Sequence, residues 1–389
     1  MRVGLDYRSA LVNREGIGRY TRELVRGLVG HGFGGNLGLF GYTLAGRRFG
    51  LEELGLKDSR AELCRLRMPS RWIPGLLRRL GKGVDDLVGG CDVYHHTQPN
   101  ALDVREAAQV VTVFDCIWAH DAEGEDGPGF LGVAEAQRMR AAIQDLVSRA
   151  RLVLVPCRFV GADVVMNLGI NPGRVRVTSL GCDHVLEHLP PGGFGPAPEP
   201  YVLTVSRVDA RKNHLRMLRA FERLVREGLP HRWIVAGPPG HGHEDFLAAL
   251  ERSPARERVD WRRQVGEADL VRLYAQADLL LWASLNEGFG LPPLEAMACG
   301  TPVVTSLVTS MPEICGEAAF LVEPTDEERI FEAARRLLTE DDLAEEYRRL
   351  GERRAREFTW GGCARDTLLA YQAARDMGDE EPSMQRLFT

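Results

Sequence analysis

Two glutamates flank a turn rich in glycine and proline in the segment NEGFGLPPLEAMACGTPVV, residues 286–304. The Pro-Pro pair suits the first turn of a helix, where a missing N–H group costs nothing, and Gly300 suits the residue just past the helix end. The loop before this helix therefore presents amide groups at the positive end of a helix dipole, a natural site for an anion. Glu287 lies in the loop and Glu295 about one turn inside the helix.

These carboxylates have an ordinary explanation and a functional one. An N-terminal glutamate stabilises its helix dipole, and a second glutamate can simply lie on the surface. Sugar hydroxyls offer the other explanation, because carboxylates accept hydrogen bonds from O–H groups strongly and directionally. Carboxylates beside an anion-binding helix end favour a ligand that carries both phosphate and sugar.

A cluster of cations follows the apolar run YVLTVS in the segment SRVDARKNHLRMLRAF. Arg207 ends that predicted strand, and Lys212 lies near the start of the following helix; both can reach a diphosphate and neutralise a leaving group. Alternatively, these cations form a solvated basic face of the helix. This interpretation explains Arg216 and Arg219 well and can also explain Arg211. It explains Arg207 poorly, because that residue ends a buried strand.

Several other residues carry weaker signals. Gly16 and Gly18 form a G-x-G without the third glycine of a dinucleotide fingerprint, although they still permit close approach of a ligand to the backbone. His95 and His96 end one predicted strand and Asp115 ends another, so all three are candidates for residues that face a cleft.

The HGH triplet at 241–243 has no partner ligands at helical spacing and the chain contains no D-x-D. No metal site and no organic cofactor are therefore predicted.

Composition narrows the possible classes of protein. The 389 residues exceed the size of one core, so two domains are expected. A net charge of -6 argues against nucleic acid as the main partner. Eight scattered cysteines without a C-x-x-C pair are typical of reduced thiols in a cytoplasmic protein. Neither a signal peptide nor a run of about 20 apolar residues is present.

Short apolar runs alternate with longer amphipathic runs, the pattern of a parallel sheet wrapped by helices. This alternation stops at LPPGGFGPAPEP and then starts again. The predicted fold class is therefore α/β, with two Rossmann-like domains facing each other across a cleft. The predicted boundaries are 1–188 for the N-terminal domain, 189–200 for the linker, 201–360 for the C-terminal domain, 361–376 for a last helix and 377–389 for a loose tail.

The segment SLNEGFGLPPLEAMACGTPVVTS, with SRVDARKN upstream, closely resembles the retaining glycosyltransferases of family 4, which have the GT-B fold. The motifs GIGRYTRELVRGL, VVTVFDCIWAH, VRVTSLGCD, LVRLYAQADLLLWAS, MPEICGEAAFLVEP and FTWGGCARDTLLAY fall in the family's order over about residues 3–372. The motif with two glutamates is highly specific, whereas the glycine loop alone is not. The resemblance also implies that the last helix crosses back to the N-terminal domain.

The resemblance implies a role for each matching residue. Arg207 and Lys212 would bind and stabilise the leaving diphosphate, and Glu287 would accept hydrogen bonds from the donor sugar. Glu295 would hold the ribose. The remaining donor contacts would come from the backbone of Gly16, Gly18, Val265, Phe289, Gly290 and Leu291.

This chain departs from the family pattern on the acceptor side. Many relatives have His-Asp after the VVT strand, where this chain has Phe114-Asp115, and many have a serine near position 157, where it has Pro156-Cys157. The acceptor-side candidates are therefore His95, His96 and Asp115, and the identity of the acceptor stays open.

The resemblance implies a retaining, metal-independent hexosyltransferase, related to mannosyltransferases of polysaccharide biosynthesis. Its co-substrate would be a nucleotide-diphosphate sugar, with GDP-mannose or a related GDP-sugar favoured, and its acceptor a glycan, a lipid-linked molecule or a small molecule. A UDP-sugar-dependent transferase, a sugar-nucleotide epimerase and a non-catalytic sugar-nucleotide-binding protein are the alternatives.

Residues 65–82, RLRMPSRWIPGLLRRLGK, contain six basic residues and no acidic residue. An apolar stripe of Trp72, Ile73, Leu76, Leu77 and Leu80 is predicted beside them. Such an element can lie in an anionic membrane interface. Alternatively, the stripe packs into the N-terminal domain and the arginines are solvated.

Overall fold

We analysed a computed structural model of the chain. It describes residues 1–13, 16–44, 50–99, 102–122 and 130–377. The tail predicted to be loose lies outside the described residues, apart from Met377, and so do two residues of the glycine-rich segment before Gly16.

The N-terminal domain is built on a parallel sheet of seven strands. Its strands are β1 (Val3–Asp6), β2 (Leu37–Tyr42), β3 (Glu62–Leu66), β4 (Val93–His96), β5 (Ala108–Thr112), β6 (Leu152–Val155) and β7 (Val175–Val177). Its helices are α1 (Arg8–Val12), α2 (Ile17–Gly30), α3 (Ile73–Leu80), α4 (Val84–Leu87), α5 (Ile117–Ala122), α6 (Val133–Arg149) and α7 (Arg158–Leu168). The strand order is β3-β2-β1-β4-β5-β6-β7.

The C-terminal domain repeats this plan with six parallel strands in the order β10-β9-β8-β11-β12-β13. Its strands are β8 (Tyr201–Val205), β9 (Arg232–Ala236), β10 (Val259–Arg262), β11 (Leu279–Trp282), β12 (Val303–Ser306) and β13 (Phe320–Val322). Its helices are α8 (His214–Arg226), α9 (His243–Arg252), α10 (Glu267–Gln276), α11 (Leu291–Ala298), α12 (Met311–Cys315), α13 (Glu327–Thr339) and α14 (Asp341–Ala355). The fold class predicted from the sequence is confirmed.

Both sheets reverse their strand order at the first strand of the domain, between β1 and β4 and between β8 and β11. Strands β1 and β11 are completely buried, as parallel strands covered by helices on both faces should be. Loops at the carboxyl ends of the strands that meet at such a switch point diverge and leave a crevice. The fold therefore places one crevice in each domain, and the two face the interdomain cleft.

The last helix, α15 (Trp360–Asp376), returns to the N-terminal domain and packs against α2, as predicted. The two helices approach so closely that a Cβ at Gly27 would lie 2.7 Å from the Ala364 Cβ. The Tyr371 hydroxyl lies 2.7 Å from His95 Nδ1 on β4. These contacts join the end of the chain to the first domain.

The chain passes between the domains twice, before β8 and before α15, and the two passages are bonded to each other. The Cys182 amide donates to the Phe358 carbonyl at 3.1 Å. The Trp360 amide donates to Asp183 Oδ1 at 2.8 Å. At Gly181 the two backbones leave no room for a Cβ. The passages therefore form one paired connection.

The sequence predicts strands at 3–5, 36–42, 92–96, 109–115, 152–156, 175–180, 201–206, 233–237, 279–283 and 302–306. It misses three strands, namely β3, β10 and β13. All three lie at the edge of a sheet, and β3 has no fully buried residue. Edge strands lack the continuous apolar run of a central parallel strand, so the pattern on which the prediction relied is weak there.

Candidate functional site

The predicted anion site forms between β11 and α11. Gly290 has a φ of +88° and directly precedes α11, whose first turn contains the two prolines. A Cβ at Gly290 would overlap the Met311 side chain, so both the backbone conformation and the space require glycine. Gly300 lies just past the helix with a φ of +79° and so ends it as predicted.

Glu287 is the centre of this site and is only 6% exposed. Its carboxylate is ion-paired with Lys212, and Arg211 Nη1 lies 3.4 Å from its Oε2. Ser284 Oγ donates to Oε1 at 2.6 Å. The Ser310 hydroxyl donates to the Glu287 carbonyl at 2.9 Å and so holds the backbone of the loop. Side chains from two loops therefore hold the carboxylate, and a third loop holds the backbone that carries it.

A short turn between β8 and α8 delivers the two cations. The Asp209 side chain accepts from the Lys212 amide at 3.2 Å. Asn213 adopts a φ of +61° while its side-chain amide donates to the Ala283 carbonyl at 2.8 Å and the Pro324 carbonyl at 2.7 Å. Because Asn213 binds the turn to the end of β11, Lys212 has little freedom. Its ammonium lies 5.0 Å from the centre of the Trp282 ring.

The charges of this cluster suit an anion. Burial raises the pKa of Glu287, but Lys212 and Arg211 outweigh that effect and hold it below its ordinary value. The carboxylate is therefore ionised at neutral pH and faces two cations. Burial raises the pKa of the nearby Asp115, which weakens its contribution of negative charge. The surplus of positive charge can be balanced by a phosphate group.

Arg207 lies two residues beyond β8 and is exposed. Within the described part of the chain its side chain makes no hydrogen bond or ion pair, which contrasts with the buried Lys212–Glu287 pair. The prediction treated Arg207 as the end of a buried strand, but β8 already ends at Val205. The exposed guanidinium lies at the carboxyl edge of the sheet, where an entering diphosphate can meet it.

Glu295 is bound by neutral donors instead. It is 5% exposed, and its two oxygens lie 3.1 Å from His184 Nε2 and 2.7 Å from the Tyr274 hydroxyl. The Trp360 indole N–H donates to His184 Nδ1 at 3.0 Å. Because an indole only donates, Nδ1 is the acceptor and the ring proton lies on Nε2, which donates to Glu295.

The N-terminal domain meets the site at Gly288. A Cβ on Gly288 would lie 2.9 Å from the Phe114 carbonyl carbon and 3.0 Å from the Asp115 Cβ. Cys157 Sγ donates to the Gly288 carbonyl at 3.2 Å. The two positions that depart from the family pattern therefore both touch the loop that carries Glu287. Asp115 is brought to the predicted donor site.

The glycines predicted to approach the diphosphate lie at the start of α2. Gly16 precedes the helix with a φ of +56°, and a Cβ on Gly18 would lie 2.8 Å from the Asn13 carbonyl carbon. Arg19 follows them and forms an ion pair with Glu267 of the C-terminal domain. This pair bridges the cleft.

The structure does not bring His95 and His96 to the cleft, contrary to expectation. Both side chains are fully buried. The His95 ring lies between Tyr371 and Thr112, each at 2.7 Å, and His96 Nε2 lies 3.1 Å from Gln109. Burial lowers the pKa of His95 to about 3 and that of His96 to about 4. They are neutral packing residues, because the strand that carries them is covered by α15.

Val265 lines a cavity of about 650 Å³ that Glu287 does not line. Residues of β8, β9, β10 and α10 contribute to its walls. Its lining includes Val265, Gly266, Tyr201, Ile234, Arg262 and Arg272. The volume falls within the range of small-molecule pockets.

The sequence prediction missed several residues of the site. Arg211 was ascribed to a solvated helix face, but it donates to the Asn286 carbonyl at 2.9 Å and faces Glu287. Ser284, Tyr274 and His184 carry no local signal, because only the tertiary fold brings them to the carboxylates. Arg19 lies in the motif GIGRYTRELVRGL directly after Gly18, and this position was the signal that could have identified it.

Among the described residues, no group of three or more histidine, cysteine, aspartate or glutamate side chains could hold a metal ion. No helix of the described chain is long and apolar enough to cross a membrane.

Two parallel-sheet domains, a cleft between them and a C-terminal helix that crosses back are the architecture of the GT-B glycosyltransferases, and this chain has that fold. Residues 194–356 match the family described as Glycosyl transferases group 1. This match covers most of the C-terminal domain and includes both Glu287 and Glu295.

Known relatives include several mannosyltransferases. O-antigen chain mannosyltransferase B of Escherichia coli is 28% identical over 288 residues, which cover 72% of this chain and 74% of the relative. MMP alpha-(1->4)-mannosyltransferase of Mycolicibacterium hassiacum is 31% identical over 222 residues, and the match spans 55% of this chain and about half, 52%, of that protein. Among solved structures, Anabaena Alr3699/HepE in complex with UDP and glucose superposes with a TM-score of 0.70 at 14% identity, covering 96% of this chain and 100% of that one.

The environment of Glu295 predicts a specific pH dependence. Burial opposes ionisation, but the hydrogen bonds from His184 and Tyr274 and the charge of Arg19 outweigh it and hold the pKa of Glu295 below its ordinary value. A depressed carboxyl pKa stabilises the fold above the unfolded pKa, and this contribution is lost as the pH falls through the folded pKa. We expect Glu295 to contribute on the order of 1–2 kcal/mol at pH 7, lost as the pH falls below about 5.

Urea unfolding of wild type and Glu295→Gln across this pH range tests the prediction. The stability difference should shrink as the pH falls. A difference that stays constant down to pH 2 would show that the carboxylate charge contributes nothing. Glu340→Gln, at an exposed carboxylate paired with Arg336, serves as the control and should change stability little at any pH.

Proposed function

We propose that this chain is a retaining hexosyltransferase that transfers a hexose from a nucleotide-diphosphate sugar to a glycan, a lipid-linked molecule or a small molecule. GDP-mannose or a related GDP-sugar is the proposed donor. The reaction needs no metal ion, and the enzyme acts in the cytoplasm. The match of residues 194–356 to the family described as Glycosyl transferases group 1 supports glycosyl transfer.

The observation that carries this proposal is the charge cluster of Glu287, Lys212 and Arg211 at the start of α11. Its surplus cation can hold the diphosphate, while the carboxylate can accept from sugar hydroxyls. Arg207 supplies a second, accessible cation at the same edge. A protein that only binds sugar nucleotides could lose part of this set, whereas here the full set is present.

Cleavage of the donor leaves a nucleoside diphosphate, whose developing negative charge the cations stabilise. Lys212 is held in place before the substrate arrives, so little reorganisation is needed during the reaction. Glu287 is a poor covalent nucleophile, because two cations and Ser284 already bind its oxygens. We therefore propose that the acceptor attacks from the face that the diphosphate leaves, and that a phosphate oxygen takes the acceptor proton.

The role of Lys212 predicts a large kinetic effect. Lys212→Ala should lower the turnover number by about 100-fold or more, because it removes the buried cation that stabilises the leaving group. Release of nucleoside diphosphate from the donor measures turnover. Arg219→Ala is the matched control, since Arg219 is an exposed cation on α8 paired with Glu327.

The same assay tests metal independence. Wild-type turnover should be unchanged by a chelator. Activity that a chelator abolishes and Mn²⁺ restores would contradict the proposed mechanism, and an intact but altered sugar nucleotide would indicate epimerisation instead of transfer.

The base of the donor is the least constrained part of the proposal. The mannosyltransferase relatives favour a GDP-sugar, whereas a solved neighbour of the same fold contains UDP. A ligand that binds only the native state raises the melting temperature. We expect GDP to raise it and UDP to have no effect; stabilisation by UDP alone would overturn the choice of base.

The surface of the N-terminal domain supports a lipid-linked acceptor. The single apolar stripe predicted over 72–80 is split in the structure. Ile73 and Leu77 are buried in the domain core, whereas Trp72 is 58% exposed and Leu80 is 54% exposed. The half-buried Leu76 lies between these two at helical spacing.

Exposed cations surround this apolar face of α3, and they are Arg67, Arg71, Arg78, Arg79 and Lys82. Their charge complements an anionic lipid surface. We propose that this face lies in the membrane interface, where it would bring the cleft to a lipid-linked acceptor.

Liposome co-sedimentation tests the membrane contact. Replacement of Arg71, Arg78 and Arg79 by glutamine should weaken binding to anionic vesicles by about 100-fold, because each basic residue near such a surface adds about 1 kcal/mol. Replacement of the equally exposed Arg349, Arg353 and Arg356 of the C-terminal domain changes the net charge by the same amount and should have no such effect. If wild type stays in the supernatant at low salt, the acceptor is not presented by a membrane through this face.

A further inference from the structure

Arg19 of α2 carries a charge that reaches across the cleft to the C-terminal domain. It lies in the first turn of the helix, directly after Gly18, and is 9% exposed. Its guanidinium is ion-paired with Glu267, the first residue of α10. A long side chain of the N-terminal domain is therefore held by a carboxylate of the C-terminal domain.

A second carboxylate of the C-terminal domain also acts on Arg19. Burial alone would lower the pKa of Arg19, but Glu295 and then Glu267 outweigh burial and raise it. In return, Arg19 helps to lower the pKa of both acids. The hydrogen-bond donors of Glu295 are His184 and Tyr274, and Arg19 adds a positive charge from the N-terminal domain.

The surroundings of Arg19 coincide with the three parts of the proposed nucleotide. Gly18, which precedes Arg19 in the chain, is proposed to approach the diphosphate. Glu295 is proposed to hold the ribose, and Val265, two residues before Glu267, is proposed to contact the base. Arg19 is therefore linked, through its neighbours in the chain and its partner Glu267, to residues proposed to bind all three parts.

We propose that Arg19 binds the diphosphate of the donor from the N-terminal domain, and that it exchanges its partner Glu267 for phosphate oxygens when the nucleotide enters. This role rests on the proposed use of a nucleotide-diphosphate donor. Ribose hydroxyls can donate to Glu295 and so compensate for the loss of the nearby Arg19 charge. The planar guanidinium gains a doubly charged partner to which it can donate two N–H groups at once.

The proposed exchange of partners by Arg19 predicts an effect on nucleotide affinity that a purely structural ion pair does not. In an exchange, Glu267 competes with the phosphate for Arg19. Removing the cation should then weaken nucleotide binding, and removing the competing carboxylate should strengthen it. If the pair only stabilised the closed arrangement of the domains, breaking it from either side would change affinity in the same direction.

Isothermal titration calorimetry with GDP and with UDP measures both effects. We expect Arg19→Gln to weaken binding of whichever diphosphate the wild type accepts by about tenfold or more, since hydrogen bonds to charged groups are strong. Arg19→Lys keeps the charge and should recover part of the affinity. Glu267→Gln should strengthen binding several-fold. Arg26→Gln, on the same helix but paired with Glu23, is the control and should leave affinity unchanged.

Titration with the matching nucleoside separates phosphate recognition from a general loss of the site. Its affinity should be insensitive to Arg19→Gln. An equal loss for nucleoside and nucleoside diphosphate, or weaker binding in both Arg19→Gln and Glu267→Gln, would overturn the role. A wild-type chain that binds neither GDP nor UDP would refute the proposed donor class itself, and a wild type that binds one of them without any effect of Arg19→Gln would refute this inference alone.

Discussion

The burial of one carboxylate between two cations governs the arrangement of the whole site. An ionised Glu287 at 6% exposure is tolerable only while Lys212 and Arg211 face it. That requirement fixes the turn after β8 against the loop after β11, which are adjacent strands. It also fixes Gly288, the next residue, whose missing side chain lets the N-terminal domain come into contact. Charge compensation, loop conformation and domain contact thus depend on the same few atoms.

The two glutamates of the motif illustrate two ways of keeping a buried carboxylate ionised. Glu287 is balanced by cations of its own domain. Glu295 receives hydrogen bonds from His184 and Tyr274, while its nearest countercharge comes from the other domain. The ion pairs of Glu287 do not depend on the distance between the domains. The arrangement around Glu295 responds to their separation, because opening the cleft removes Arg19 and leaves only neutral donors.

The sequence predicted the elements whose signal is local. Central strands such as β11 appear as continuous apolar runs, and α11 is marked by prolines at its start and a glycine after its end. Edge strands such as β3 were missed because they are half-exposed. At the site, Lys212 and Glu287 stood out through type and spacing, whereas Ser284 and His184 did not, since partners distant in sequence are set by the fold. His95 was misjudged because nothing in its own strand shows that α15 covers it.

The paired passage between the domains has a mechanical consequence. A single flexible linker would let two domains twist and translate freely, but here two chain segments are hydrogen-bonded side by side through Cys182, Phe358, Asp183 and Trp360. Two attachments on one line leave a hinge with a defined axis, about which the domains can swing open and shut without sliding. Because the Trp360 indole also bonds the His184 ring that holds Glu295, the hinge and the floor of the cleft share a side chain. Rotation about this axis therefore moves the His184 ring and changes its hydrogen bond to Glu295.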